Sequence, residues 1–234
     1  MKLKLTQNQT LIILLILSLI IVICNEILFY NVPEIIPYGD VVGQVFSYLS
    51  LSYIASCIFY YVVVVVKEKR DKKNVYLSVY KLLEKLIAEA YAIYRFPIEA
   101  SKTDRNKFTA QTITREEYID VCSKANPREI SPQHKLGMYP NLRDSTYGQL
   151  IKHGSVDRVI FWTEKIFVYM PYLDSDLVKL IDELTNNKHH HFGEFLPLIA
   201  EPNFSKSAND MFEFLEKVRS LEEYNNTVVK KIIS

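Results

Sequence analysis

The residues best suited to chemistry are three consecutive histidines, His189-His190-His191. Neutral imidazole is both a metal ligand and a proton carrier near physiological pH. A metal site needs three or four such donors converging on one point. Neighbours on a helix point about 100° apart and diverge, whereas a loop could gather them with Glu194 or Asp182. The spacing favours a solvated loop over a metal or pH-sensing site, so no metal or cofactor is assigned. His153, Ser155 and Asp157 carry the side chains of a nucleophilic triad, but on a helix this spacing scatters them. Triad members meet from distant positions in the chain.

Other catalytic signatures are scarce. There is no Gly-rich phosphate loop, G-x-S-x-G, H-E-x-x-H or paired C-x-x-C, and six glycines leave little material for a nucleotide cradle. The three cysteines, Cys24, Cys57 and Cys122, are too sparse and odd in number for a disulfide framework. The expectation is a chain that is not an enzyme.

Charge distribution says more. The 234 residues carry a net +1, which argues against direct nucleic-acid binding. Yet no Lys or Arg occurs between Lys4 and Lys67, and the only charges there are Glu26, Glu34 and Asp40. Leu11–Cys24 is an unbroken apolar or small run, and the segment 10–30 spans roughly 30 Å as a helix, the thickness of a bilayer core. The segment 41–66 is longer and also free of charge. Between them, Asn31–Asp40 carries Pro33, Pro37 and Gly39, which cannot continue a helix. A two-helix transmembrane hairpin over residues 1–66 is the natural reading.

Lys2 and Lys4 precede the first span, the turn has no basic residue, and Lys67, Lys69, Arg70, Lys72 and Lys73 follow the second. Basic residues stay on the cytoplasmic side, so both termini should be cytoplasmic in a bacterial inner membrane. A cleaved leader is disfavoured, because no small-x-small site follows the apolar run and Ile23 before Cys24 is unlike a lipoprotein site. The tract Lys67–Lys73 sets topology and would also attract anionic lipid.

The second span is unusually rich in small and hydroxyl residues. Gly43, Ser47, Ser50, Ile54, Cys57 and Tyr61 recur at steps of four and three, forming one stripe, with Ser52 and Ser56 beside it. In lipid, small residues mark packing faces, either within the hairpin or between copies in a homo-oligomer. Glu26 stands near the outer interface with Asn25, and Phe29, Tyr30 and Tyr38 would form an aromatic belt.

Residues 67–95 read as the basic tract and a stalk helix, with Val75, Val79, Leu82, Leu83, Leu86, Ile87, Ala90 and Tyr91 on one face, ending before Phe96-Pro97. Residues 96–234 read as a helical cytoplasmic domain. A loop is expected over 97–113, then a helix opened by the capping box Thr114-x-x-Glu117. Asp144 or Ser145 should cap a helix running to Pro171, and Asp174 another. Ser207 and Asp210 should open a last one with Met211, Phe214, Val218, Leu221, Val228 and Ile232 inward. The fold class is all-α.

The hairpin of 10–30 and 41–66, the basic tract and the helical domain together resemble the two-transmembrane effectors of bacterial retron systems. The run from Phe161 to Ile181 is similar to small two-span bacterial proteins of unknown function. The resemblance covers the architecture and carries over no functional residue. It implies antiphage defence, in which a reverse transcriptase and its RNA–DNA product restrain the protein until infection releases it to damage the inner membrane, causing abortive infection. The competing expectation is a passive membrane anchor or scaffold for a cytosolic partner.

Overall fold

The computed structural model describes residues 7–28, 38–104, 106–132, 144–198 and 201–234. Lys2, Lys4, Phe29, Tyr30, Pro33, Glu34 and Pro37, each given a part above, lie outside them. The regular elements among the described residues are all helical, and the one β-bridge there joins Ile130 to Thr146. The chain divides into two compact units, Met1–Asp71 and Lys72–Ser234.

In the first unit, α1 (Gln7–Ile23) continues as a π-helical turn, Cys24–Leu28, and α2 (Gly39–Tyr60) passes into another, Tyr61–Val65. The helices pack on each other. Large apolar side chains are left exposed on both: Ile12, Ile16 and Ile20 on α1 and Val45, Phe46, Leu49, Ile58 and Phe59 on α2. Both helices are long and apolar enough to cross a membrane.

In the second unit, the helix α3 (Val66–Ala90) turns Tyr76, Val79, Leu83, Leu86, Ile87 and Ala90 into the core. The expected break at Phe96-Pro97 falls earlier. The helix turns at Tyr91 and resumes as α4 (Ala92–Ala100) with Pro97 inside it, so the loop expected over 97–113 starts only after Ala100. Proline has no N–H for the carbonyl four residues back, which is that of Ile93. The fully buried Tyr118 supplies the missing donor: its hydroxyl donates to Ile93 O at 2.5 Å. Tyr118 stands on α5 (Arg115–Lys124), which opens with the expected capping box. Glu117 N–H donates to Thr114 Oγ1 at 3.3 Å, and Thr114 N–H donates to the Glu117 carboxylate at 2.9 Å.

The next helix begins differently from the sequence reading. Its cap is Thr146, which forms a second reciprocal box with Gln149, in place of Asp144 or Ser145. It runs as α6 (Tyr147–Lys152), a π-helical stretch His153–Arg158 and α7 (Val159–Phe167), followed by a 3₁₀ turn, Met170–Tyr172. Asp174 does precede α8 (Ser175–Thr185), but its carboxylate makes no capping bond. It accepts from Lys72 Nζ at 2.7 Å and from the Tyr76 hydroxyl at 2.8 Å, fixing the start of α8 to α3.

A short helix α9 (Lys188–Gly193) leads to α10 (Ala208–Tyr224), which packs on α4, α5, α8 and α9. Met211, Phe214, Val218 and Leu221 are buried as their spacing predicts. Beyond them Val229 is buried and Val228, expected inward, is exposed, while Ile232 packs partly buried against the core as expected. The exchange falls within the π-helical turn Asn225–Val229, whose extra residue shifts the helical phase there, ahead of α11 (Lys230–Ile233). Arg219 on α10 donates to Ala110 O at 2.5 Å and Ile113 O at 2.9 Å, tying down the loop before α5.

Replacing Tyr118 by Phe removes the donor from a buried carbonyl and should cost about 1–3 kcal/mol of stability. Pro97→Ala restores a helical N–H to Ile93 O, so the Tyr118→Phe penalty should shrink in that background. Denaturant unfolding of the four proteins of this cycle, in one detergent, measures the coupling. Equal penalties in both backgrounds would refute the link between Pro97 and Tyr118.

Candidate functional site

Polar groups gather away from water in both units. In the hairpin, the stripe on α2 faces α1: Ser47 and Ser50 are buried, and Gly43, Ile54 and Cys57 are half-buried. Asn25, on the π-helical turn ending α1, donates from Nδ2 to Ser47 Oγ at 2.8 Å. Gly43 makes that approach possible, since a Cβ there would sit 2.5 Å from Asn25 Oδ1. Towards the other end, the Tyr53 hydroxyl reaches Leu11 O at 3.4 Å. Tyr61, past that level, is exposed, as are Ser52 and Ser56, and Ser56 spends its hydroxyl on Ser52 O of its own helix.

The stripe is therefore occupied within the hairpin of a single chain. Glu26, singled out as the ionisable residue of the spans, is exposed on the π-helical turn, while Asn25 beside it is the side chain used. An amide can share a hydrogen bond with a serine hydroxyl without carrying a charge into an apolar contact.

Of the basic tract, Lys67, Lys69 and Arg70 are exposed at the end of the first unit. Lys73 is exposed in the second, whereas Lys72 is committed to Asp174. Burial pushes the Asp174 carboxyl up, but the bonds from Lys72 and Tyr76 outweigh it and hold it below the usual aspartate value.

The second polar centre is built around His189. The histidine run lies on α9 rather than in a solvated loop, and its three rings diverge. His189 is buried, His190 half-buried with an unpartnered Nδ1, and His191 exposed. Among the described residues, no group of three His, Cys, Asp or Glu side chains is placed to hold a metal.

His189 Nε2 lies 2.9 Å from Ser155 Oγ, and its ring packs on Phe214 at 4.8 Å between centroids. Ser155 donates its only proton to Ile151 O at 2.7 Å. The imidazole N–H must then donate to Ser155, the reverse of the proton flow that activates a serine nucleophile. Burial, reinforced by His190, pushes the His189 imidazole down to about 3, so it is neutral near pH 7.

The residues of the apparent triad part company. Ser155 faces His189 inside, while Asp157 holds Lys152 at 2.7 Å, and Lys152 also reaches Glu194 at 3.3 Å. His153 stands 3.8 Å from Asp157.

Sequence reasoning missed the Ser155–His189 pair. The legible trace of it is Gly154 and Gly193, where close packing leaves no room for a side chain. A Cβ on Gly154 would come 2.3 Å from the Ala92 Cβ, and one on Gly193 would come 2.6 Å from Val156 Cγ2. Comparison with protein-family models, curated proteins and solved structures finds no match to this chain.

Two outcomes are expected. A double-mutant cycle of Asn25→Ala and Ser47→Ala, read by reversible unfolding in micelles, should return a coupling of about 0.6 kcal/mol and at most ~1.7 kcal/mol. Gly43→Val should cost more than either single change, by overpacking of about 1–3 kcal/mol. A zero coupling would remove the bond as a packing element.

For His189, the unfolded chain takes up a proton below about pH 6.5 that the folded one refuses until about pH 3. Acid therefore favours unfolding across that window, with a slope of at most ~1.4 kcal/mol per pH unit from this group. Thermal unfolding against pH should flatten between pH 6.5 and 4 in His189→Gln, and an unchanged profile would show that this group does not set it.

Proposed function

We propose that the chain is a two-span protein of the bacterial inner membrane with both termini and the helical unit in the cytoplasm, and that it acts as a membrane-perturbing effector of a retron-type antiphage system. The observation that carries the membrane part is the hairpin's surface. Asn25–Ser47 and Tyr53–Leu11 turn polar atoms to each other between the helices, while the outward faces are dominated by large aliphatic and aromatic side chains. In water such faces cost about 25 cal/mol per Å², and in lipid they cost nothing. The absence of Lys and Arg from 5–66 and the tract Lys67–Lys73 support the orientation.

The effector role rests on the architectural resemblance. The cytoplasmic unit would be the part restrained by a reverse transcriptase and its RNA–DNA product through protein contact. The reaction assigned to it is physical: loss of the permeability barrier, with no bond made or broken.

One observation favours a second reading, a passive anchor that recruits a cytosolic partner. The small-residue stripe is closed on α1, leaving Gly43, Ser47 and Ser50 unavailable for assembling a pore between copies unless the hairpin opens.

Inducing the gene alone and together with its neighbours separates the two readings. An effector should depolarise cells and admit a membrane-impermeant dye when expressed alone, and co-expression of its regulator should suppress both signals. Unaltered growth, potential and dye exclusion at high expression would refute intrinsic toxicity and leave the anchor.

A further inference from the structure

The second unit begins at Lys72, and two distant parts of the chain converge on that first turn. Asp174 accepts from Lys72 Nζ and Tyr76, and its own N–H donates to the Tyr76 hydroxyl at 2.9 Å. The Val168–Leu173 segment just before Asp174 is thus held near Lys72 and Tyr76 of α3. The C-terminus is held there too, with Lys73 Nζ donating to Ser234 O at 3.2 Å.

Val168–Leu173 contains no charged or amide side chain. Tyr169 and Leu173 pack against the core, which leaves their neighbours pointing away: Val168 is 73% exposed, Met170 50% and Tyr172 55%. Three large apolar side chains on a single short turn are costly in water. Lys73, Lys230 and Lys231 are exposed on the elements gathered at this end, and of the acids at the start of α8, Asp174 is already paired, leaving Asp176.

Chain distance identifies the occupant. Lys72 lies six residues beyond Val66, all of them helical, which is about 9 Å of rise. The headgroup layer on each face of a bilayer is about 5–8 Å deep. A tyrosine with apolar neighbours suits that interface, and lysines suit anionic headgroups, at about 1 kcal/mol for each basic residue near the surface.

We propose that Val168, Met170 and Tyr172, with Lys73, Lys230 and Lys231, form a membrane-contact face that seats the helical unit on the anionic headgroups of the bilayer its own hairpin spans. This rests on the two-span reading above. The face is amphipathic in the manner of an interfacial anchor, with apolar tips entering the headgroups and lysines around them.

The test uses the full chain in phosphatidylethanolamine–phosphatidylglycerol vesicles carrying brominated lipid, which quenches nearby tryptophan. Trp162→Phe removes the only natural tryptophan, and single probes are then placed by Tyr172→Trp, by Met170→Trp, by Tyr48→Trp in the hairpin, or by Glu116→Trp. Glu116 is exposed on α5, which Tyr118 ties to Ile93, beyond the far end of α3 from Lys72. Probes at 170 and 172 should be blue-shifted and quenched, the probe at 116 should not, and Lys230→Glu with Lys231→Glu should at least halve the quenching at 172.

Solvent-like, unquenched emission at both 170 and 172 with a quenched probe at 48 would overturn the contact face while leaving the two-span reading intact. An unquenched probe at 48 would overturn the two-span reading itself. A blue shift at 172 without lipid quenching would mean that protein, such as a second copy, covers the face, and would also overturn the proposal.

Discussion

A polar atom taken out of water must find a partner or cost a few kcal/mol, and both units are arranged around that constraint. In the hairpin the atoms concerned are few, so each has a large effect. Asn25 and Ser47 meet only because Gly43 lacks a side chain. In the helical unit the same demand explains why Tyr118 lies under Pro97 and why Ser155 and His189 face each other. It also explains why Asp174 gives up helix capping to hold Lys72 and Tyr76. These are long-range bonds, each joining segments that local pattern alone would leave independent.

A second device recurs. π-Helical turns follow α1, α2, α6 and α10. At Asn225–Val229 the effect can be read directly, because burial moves from Val228 to Val229. At His153–Arg158 the turn buries three consecutive residues, Gly154, Ser155 and Val156. That turn is what aims Ser155 at His189 and separates it from His153 and Asp157. Apparent catalytic spacing in the sequence was an accident of proximity along the chain, and the geometry uses the serine as a hydrogen-bond acceptor within the core.

Local signals were legible where the physics is local. The Thr114–Glu117 box needs only four residues, and α5 begins where it says. Thr146–Gln149 obeys the same rule, yet Asp144 and Ser145 competed for the cap, and only the chain's approach to the helix selects among three adjacent candidates. Pro97 illustrates the opposite failure. Its missing N–H forecasts a break, but the penalty can be offset from outside, and Tyr118 is twenty-one residues away in sequence. The histidine run was expected in a solvated loop and lies on a helix, and nothing local says that His189 belongs to the core, because that follows from Phe214 and Ser155 across the unit.

The sequence by itself determined the all-helical class, the two apolar segments and the concentration of charge after residue 66, because each depends on composition and on the 3.6-residue period within one segment. The tertiary structure alone decided which polar groups meet, where helical phase slips, and which apolar side chains stay uncovered. Those outcomes depend on what packs opposite a residue, and a π-helical turn or an intervening hydroxyl changes them without altering the pattern on either side. Asn25 rather than Glu26, and Val229 rather than Val228, are the residues in which that difference is visible.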